Sequence, residues 1–346
     1  MYPMNTMNTY AKYAWYVLFF ALRYVDPRWS SLGYHVLLGT AVRYAVNYVF
    51  QFMCRCDAVS YPNRIRRKLP SFEQMEREDD WDNVFITSVA AFYGVNALTT
   101  LLAEPTAPWY LSIPASFAAH YCLVEPIYYL FHVVLHHPWL YKWSHYHHHL
   151  SITTEAVSGT SHPFWEGLAY VAIFSLPFTV PAYLGLFSYP AVYAYFVFFD
   201  VMNCAGHCNF EVFPRILTKS PWKYLVYTSS YHSIHHKTFR YNCCLFCPLW
   251  DYLGGTHHST TGPTYDRATD PDSTPAIQSV FIGHGLYPHT VLHIPFINRS
   301  VSSHPLTNTG PIRYVGYLLY GVQWIVARLP SFSGFAVQNY SVRDTL

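Results

Sequence analysis

The stretch VEPIYYLFHVVLHHPWLYKWSHYHHH, residues 124–149, decides how this chain is read. An apolar run gives way within one helical turn to His132, His136 and His137, and then to His145, His147, His148 and His149. Imidazole is the commonest transition-metal ligand among side chains. On a helix leaving the run, His132 and His136 stand at i and i+4 with Cβ atoms about 5–6 Å apart, so both can reach one metal. His145, His148 and His149 form an H-x-x-H-H box, and His232, His235 and His236 repeat it about 80 residues later. Positions i and i+3 share a helix face and i+4 is adjacent, so each such box is expected to offer one metal two ligands and a neighbouring metal a third. His207, four residues before Glu211, is a ninth candidate. His137 could replace His136, and His147 is surplus to the pattern.

Of the 20 histidines in the 346 residues, 11 fall in segments 132–149, 207 and 232–236. Charged residues are only 12%, against 52% hydrophobic and 19% aromatic. A soluble domain carries about twice that charge, so lipid is the expected solvent for part of the chain. A net charge of +2 with no basic run gives no support for nucleic acid as a partner. The eight cysteines do not read as a disulfide framework. Cys243, Cys244 and Cys247 lack a second pair at zinc-finger spacing, which favours reduced, buried thiols over zinc.

Several segments approach the roughly 20 apolar residues that span a bilayer. Val84–Leu102 and Trp109–Phe131 form one expected hairpin around Pro105 and Pro108; Leu168–Phe187 and Tyr189–Met202 form a second. Residues 34–53 are a further candidate interrupted by Arg43, and 312–327 a weaker one. Arg55, Arg64, Arg66, Arg67 and Lys68 precede the first hairpin and place that loop in the cytosol. Each hairpin returns to its starting side, so both histidine-bearing segments are expected on one cytosolic face. The fold class expected is all-α: a polytopic membrane protein with transmembrane hairpins under a cytosolic, histidine-rich helical cap. Three regions follow: 1–83 membrane or interfacial, 84–256 the metal-bearing domain, and 257–346 a C-terminal loop with membrane-associated helices. Thr256–Thr274, rich in Thr, Asp and Pro, reads as loop.

Three acids bear on the reading. Glu125 and Asp200 each lie two helical turns before a histidine, about 10 Å deeper. Either they accept imidazole N–H groups or they form ion pairs within the bundle. Asp251, before Gly254-Gly255-Thr256, reads as turn chemistry.

The order HxxxH, HxxHH, HxxHH, with the second box nine residues after His136, resembles the fatty acid hydroxylase/sterol desaturase superfamily. The wording is closest to the plant eceriferum-type aldehyde decarbonylases of wax synthesis. The matching stretches are Val124–Tyr129, Thr154-Glu155 with His162-Pro163-Phe164, Gly206–Glu211 and Asp251–Thr256. The similarity covers about residues 84–256, and the soluble C-terminal domain of those wax enzymes is expected to be missing.

The resemblance implies two iron ions held by His132, His136, His145, His148, His149, His232, His235 and His236, with His207 added and His162 beside them. It implies a membrane oxidoreductase that uses dioxygen on a fatty acyl chain, fatty aldehyde or sterol at the endoplasmic reticulum. No Gly-x-Gly-x-x-Gly motif is present to bind a nucleotide, so electrons are expected from a partner such as cytochrome b5 and its reductase. The competing readings are a histidine-rich membrane metal transporter and a non-catalytic subunit of a lipid-oxidising complex. Transporters place ligands near the bilayer midplane on broken helices, whereas these boxes fall at helix ends. Cysteine-accessibility labelling should place residues 138–162 and 212–240 on the same, cytosolic side; opposite sides would refute the two-hairpin topology.

Overall fold

The computed structural model describes residues 29–55, 57–60, 62–70 and 106–270, with positions 74, 78, 88, 89 and 92–94 between. The described residues are helical, and their one β-contact is an isolated bridge between Arg64 and Phe210. Among the described residues the all-α expectation holds. The segments 312–327 and most of Val84–Leu102 lie outside the described residues.

Helix α1, Trp29–Arg55, runs unbroken through Arg43, and the short α2, Asp57–Ser60, follows. Arg43 does not interrupt the helix because its charge is answered. Its guanidinium donates to Asp200 at 2.8 and 2.9 Å and to the Ser88 hydroxyl at 3.1 Å. Asp200 is therefore an ion-pair partner and not an imidazole acceptor.

Helix α3, Trp109–Ala119, passes through a π-helical turn, His120–Val124, into α4, Glu125–Leu135. Together they make the one described helix long and apolar enough to cross a membrane, 27 residues from Trp109 to Leu135. In the π turn His120 and Glu125, five apart, meet at 3.1 Å. Glu125 also accepts the backbone N–H of Phe246 at 3.0 Å. Glu125 thus receives an imidazole, but from its own helix, together with a distant loop.

Two short helices follow, α5 (Pro138–Trp143) and α6 (Tyr146–His149). The expected span Leu168–Phe187 is instead two helices, α7 (Phe164–Phe174) and α8 (Leu176–Tyr183). Pro177 accounts for the break at Ser175, since it lacks the N–H that would bond the Ile173 carbonyl and its ring crowds that carbonyl. Helix α9, Tyr189–His207, extends five residues past the expected Met202 and ends on a ligand candidate. Helices α10 (Ser229–Thr238), α11 (Leu249–Gly254) and α12 (Thr261–Ala268) complete the described chain. The expectation of loop across Thr256–Thr274 is overturned by α12. Its Tyr265 is buried and donates its hydroxyl to the Phe213 carbonyl at 2.7 Å, so tertiary contact overrides a weak local pattern.

Helix α9 is the central element, packed against α1, α3 and α10. One apolar cluster, including Val36, Phe92, Phe178, Phe187 and Tyr195, fills the end away from the histidines. A second, including Val124, Tyr128, Tyr170, Met202 and Phe246, lies under them. Gly206 lets Tyr227 close on α9, because a Cβ there would collide with the tyrosine hydroxyl.

Replacing Arg43 by Met strands a buried carboxylate, and removing one partner of such a pair costs about 3–5 kcal/mol. The double variant Arg43→Met, Asp200→Leu should recover most of that loss in detergent denaturation. Equal stability of the two variants would show that the pair is not coupled.

Candidate metal centre

The chain places its histidines at helix ends. His132 lies in the last turn of α4, and His136 ends that helix. Pro138 then starts α5, leaving His137 exposed at its N-cap, so His137 does not substitute for His136. His145 precedes α6, which carries His148 and His149. His207 ends α9. His232, His235 and His236 lie in α10, whose first N–H groups are satisfied by Glu211, from Ser229 at 3.3 Å and Ser230 at 2.9 Å. An acidic group at a helix N-terminus also complements the helix dipole.

All nine candidates converge, in two adjoining sets. His132, His136, His145, His149 and His235 form one; His148, His207, His232 and His236 form the other, with ligand atoms in each set within 4.8 Å of one another. The sets touch: the His149 and His236 ring centroids are 4.7 Å apart. Each H-x-x-H-H box is shared, but the i, i+4 pair goes together (His145 with His149, His232 with His236). The middle histidine crosses to the other set. At about 100° per residue, i+4 is displaced by about 40° and i+3 by about 60°, so the pairing expected at i, i+3 gives way to i+4.

The hydrogen bonds fix the tautomers. His132 Nδ1–H donates to the Cys243 carbonyl at 2.8 Å, and His235 Nδ1–H to the Tyr241 carbonyl at 2.8 Å. His207 Nδ1–H donates to the Asn203 carbonyl at 2.8 Å, and His145 Nδ1–H to Glu166 at 2.7 Å. In its neutral form each of these rings then presents a bare Nε2 lone pair. Those lone pairs face other rings: His132 and His145 Nε2 are 2.8 Å apart, His149 and His235 3.1 Å, His207 and His232 3.0 Å.

Burial, and then the neighbouring imidazoles, hold His148, His149, His232, His235 and His236 well below their ordinary pKa. The rings are therefore neutral at pH 7. Two bare lone pairs at 2.8 Å repel, and a cation between them removes the repulsion. Nitrogens bound at about 2.0–2.1 Å and at right angles lie about 3 Å apart, which matches the spacings found. The residues fit a two-metal site. Imidazole donors suit iron, zinc, copper and nickel alike.

Sequence reasoning missed several supports. Glu166 is buried and contacts His145, His162, Tyr170 and Ser144. Burial alone would raise its pKa, but His145 and His162 hold it well below the carboxylate range. The available signal was the i, i+4 spacing of His162 and Glu166. Asp251 is more than a turn residue. It accepts from Cys243 N, Cys244 N and the Tyr231 hydroxyl at 2.7–2.8 Å, fixing the loop whose Cys243 carbonyl holds His132. Gly255, at φ +71°, supplies the turn itself. Among the described residues no cysteine joins a metal-capable cluster, and Cys243, Cys244 and Cys247 are buried and free.

Residues 117–256 match the family model for fatty acid hydroxylase. This stretch belongs to the fatty acid hydroxylase family. The curated relatives include the very-long-chain aldehyde decarbonylase CER1 of Arabidopsis thaliana, 32% identical over 331 residues, 92% of this chain and 52% of that protein. The very-long-chain aldehyde decarbonylase GL1-6 of Oryza sativa subsp. indica is 37% identical over 250 residues, 70% of this chain and 39% of the relative. GL1-7 of Oryza sativa subsp. japonica, of the same description, is 35% identical over 326 residues, 92% and 50% respectively. The chain spans about half the length of these relatives or less. No solved structure matches it.

The depressed histidine pKa values set an acid limit. These rings stay neutral when folded and take up protons near pH 6.5 when unfolded, so the unfolded chain binds more protons below that pH. Stability of the metal-free protein should hold from pH 8 to 7 and then fall, by up to about 1.4 kcal/mol per pH unit per imidazole. Thermal denaturation in detergent followed by circular dichroism measures this; a midpoint unchanged from pH 7 to 5 would contradict it.

Proposed function

We propose that this chain is a membrane-embedded, non-haem di-iron oxidoreductase that uses dioxygen to oxidise a lipid. The observation that carries the reading is the double set of nine convergent histidines within the fatty acid hydroxylase stretch. His132, His136, His145, His149 and His235 would hold one iron, and His148, His207, His232 and His236 the other. When bound, the two irons supply dioxygen activation and the oxidant for a C–H bond or aldehyde carbon.

The chain's own residues supply placement and insulation. Neutral imidazoles keep the centre cationic, which favours a strong oxidant. Carbonyls of Cys243, Tyr241 and Asn203 hold three rings with Nε2 pointing inward. Tyr128, its ring centroid 5.1 Å from that of His132, begins an apolar cluster with Tyr170, Met202 and Phe246. A lipid chain approaching from the membrane would meet this side, and the same apolar wall excludes water from the reacting end.

The relatives' names specify very-long-chain aldehydes. A long-chain aldehyde is therefore the first substrate to test, with removal of the aldehyde carbon as the reaction and hydroxylation as the alternative outcome. The long helix Trp109–Leu135 would cross the bilayer and deliver His132 and His136 to its cytosolic face, in a multi-pass protein of the endoplasmic reticulum membrane. Electrons would come from cytochrome b5 and its reductase.

Replacing His148 or His235 by Ala removes one nitrogen from each set in turn. Each variant should accumulate in the membrane, because a membrane helix satisfies its own backbone hydrogen bonds. Each should lose at least 10–100-fold in iron retention and lipid oxidation, the scale seen even for groups that only support a ligand. His258→Ala, away from both sets, should match the parent protein. Iron content and product formation measured together decide the matter: full iron and full turnover in both ligand variants would end the di-iron reading.

A further inference from the structure

Glu166 sits in the first turn of α7, a helix that carries none of the nine histidines, yet its carboxylate reaches the centre. Oε1 accepts Nδ1–H of His145 at 2.7 Å and the Tyr170 hydroxyl at 2.7 Å, and lies 3.2 Å from Nδ1 of His162. Oε2 accepts the Ser144 hydroxyl at 2.8 Å. A buried carboxylate is costly unless its oxygens are engaged, and here both are.

Two of these contacts are imidazoles, and they lead to different halves of the centre. His145 belongs to the five-histidine set, its Nε2 facing that of His132 at 2.8 Å. His162 belongs to neither set but lies flat on His148 of the four-histidine set, with ring centroids 4.3 Å apart and planes 20° apart. Nε2 of His162 lies 3.1 Å from the Gly159 carbonyl, and because both neighbours accept, a neutral ring donates to only one of them at a time. Resting on the metal reading above, we infer that Glu166 is a positioning residue shared by both halves: it fixes the tautomer of His145 and pins His162 against His148.

An anionic acceptor on Nδ1 directs the Nε2 lone pair inward and makes it a better donor to a cation. Without an acceptor, His145 would bury an unpaired N–H or move its proton to Nε2, where a metal needs the lone pair. His162, released from Glu166, would no longer hold the plane of His148. One carboxylate therefore couples the two sets from outside, through a helix on the apolar side of the centre.

The test is anaerobic Fe(II) titration of the detergent-purified full chain, with the visible spectrum of the Co(II)-loaded protein as second readout. Glu166→Leu keeps the volume but removes both acceptors, and should weaken Fe(II) binding about 10–100-fold with a changed Co(II) spectrum. Glu166→Gln keeps one neutral acceptor and should fall between Glu166→Leu and the parent. Tyr170→Phe removes a neutral donor to the same oxygen and should stay within about fivefold. His162→Ala should weaken one of the two bound ions and leave the other. Parental affinity and spectrum in Glu166→Leu would overturn the inference while leaving the di-iron reading intact. Equal loss in Glu166→Leu and Tyr170→Phe, or failure of both to fold, would assign the carboxylate to the scaffold and also overturn it. A parent chain that takes up no Fe(II) would remove both readings together.

Discussion

Neutral imidazoles packed ring to ring cannot all be satisfied by one another. A neutral ring has one N–H and one lone pair, and four of these rings spend the N–H on an outside acceptor: Cys243, Tyr241 and Asn203 carbonyls and Glu166. What remains inside is lone pairs, within about 3 Å of other ring nitrogens. Much of the described fold supplies those outside acceptors. Asp251 and Glu125 fasten the loop 243–246 from two sides, so that a single carbonyl meets His132. Glu211 holds the start of α10, and α9 is long enough to carry His207 into the second set.

The scaffold away from the nine clustered histidines meets a related constraint. A charge in an apolar environment persists only if it is paired, and Arg43 with Asp200 does this across two helices. The π turn at His120–Val124 works on the same principle. By adding a residue to one turn, it sets His120 opposite Glu125 and the Tyr195 hydroxyl, closing a polar cluster inside an otherwise apolar helix. Irregular helical turns of this kind are frequent at functional sites, and here the turn ends four residues before Tyr128, on the helix that also carries His132.

The histidine boxes were legible because ligand spacing is a local property: three or four residues on one helix fix which rings can meet. That His207 joins them was visible only through its place four residues before Glu211 and through the resemblance. The pairing within each box was misread, since i+3 and i+4 flank residue i at about 60° on one side and about 40° on the other, and tertiary contact decides between them. Glu166, Asp251 and the Cys243 carbonyl act across 8 to 111 residues of sequence, and no periodicity reports such contacts. The break at Pro177 was available in principle and was passed over for the apolar run around it. Helix α12 was hidden by its Thr, Gly and Pro content; Tyr265 and its contact with the Phe213 carbonyl create it.

The histidine-bearing turns differ from the rest of the molecule in what holds them. Helix α5 has no buried residue, and the buried residues of α6 are His148 and His149 alone. Helices of six and four residues are far below the roughly 12–15 needed for marginal stability in isolation, and burial of apolar area cannot make up the difference here. Their order comes from contacts with the centre and its surroundings: Ser144 and His145 on Glu166, His148 against His162, His149 against His235, and Tyr141 against His136 and Phe239. Helix α9 is the opposite case, with Val192, Tyr195 and Phe196 in an apolar cluster that contains none of the nine clustered histidines. The helical scaffold and the centre are therefore energetically separable along α9 and inseparable along residues 138–149. In that segment the ligand set and the local fold are the same set of interactions.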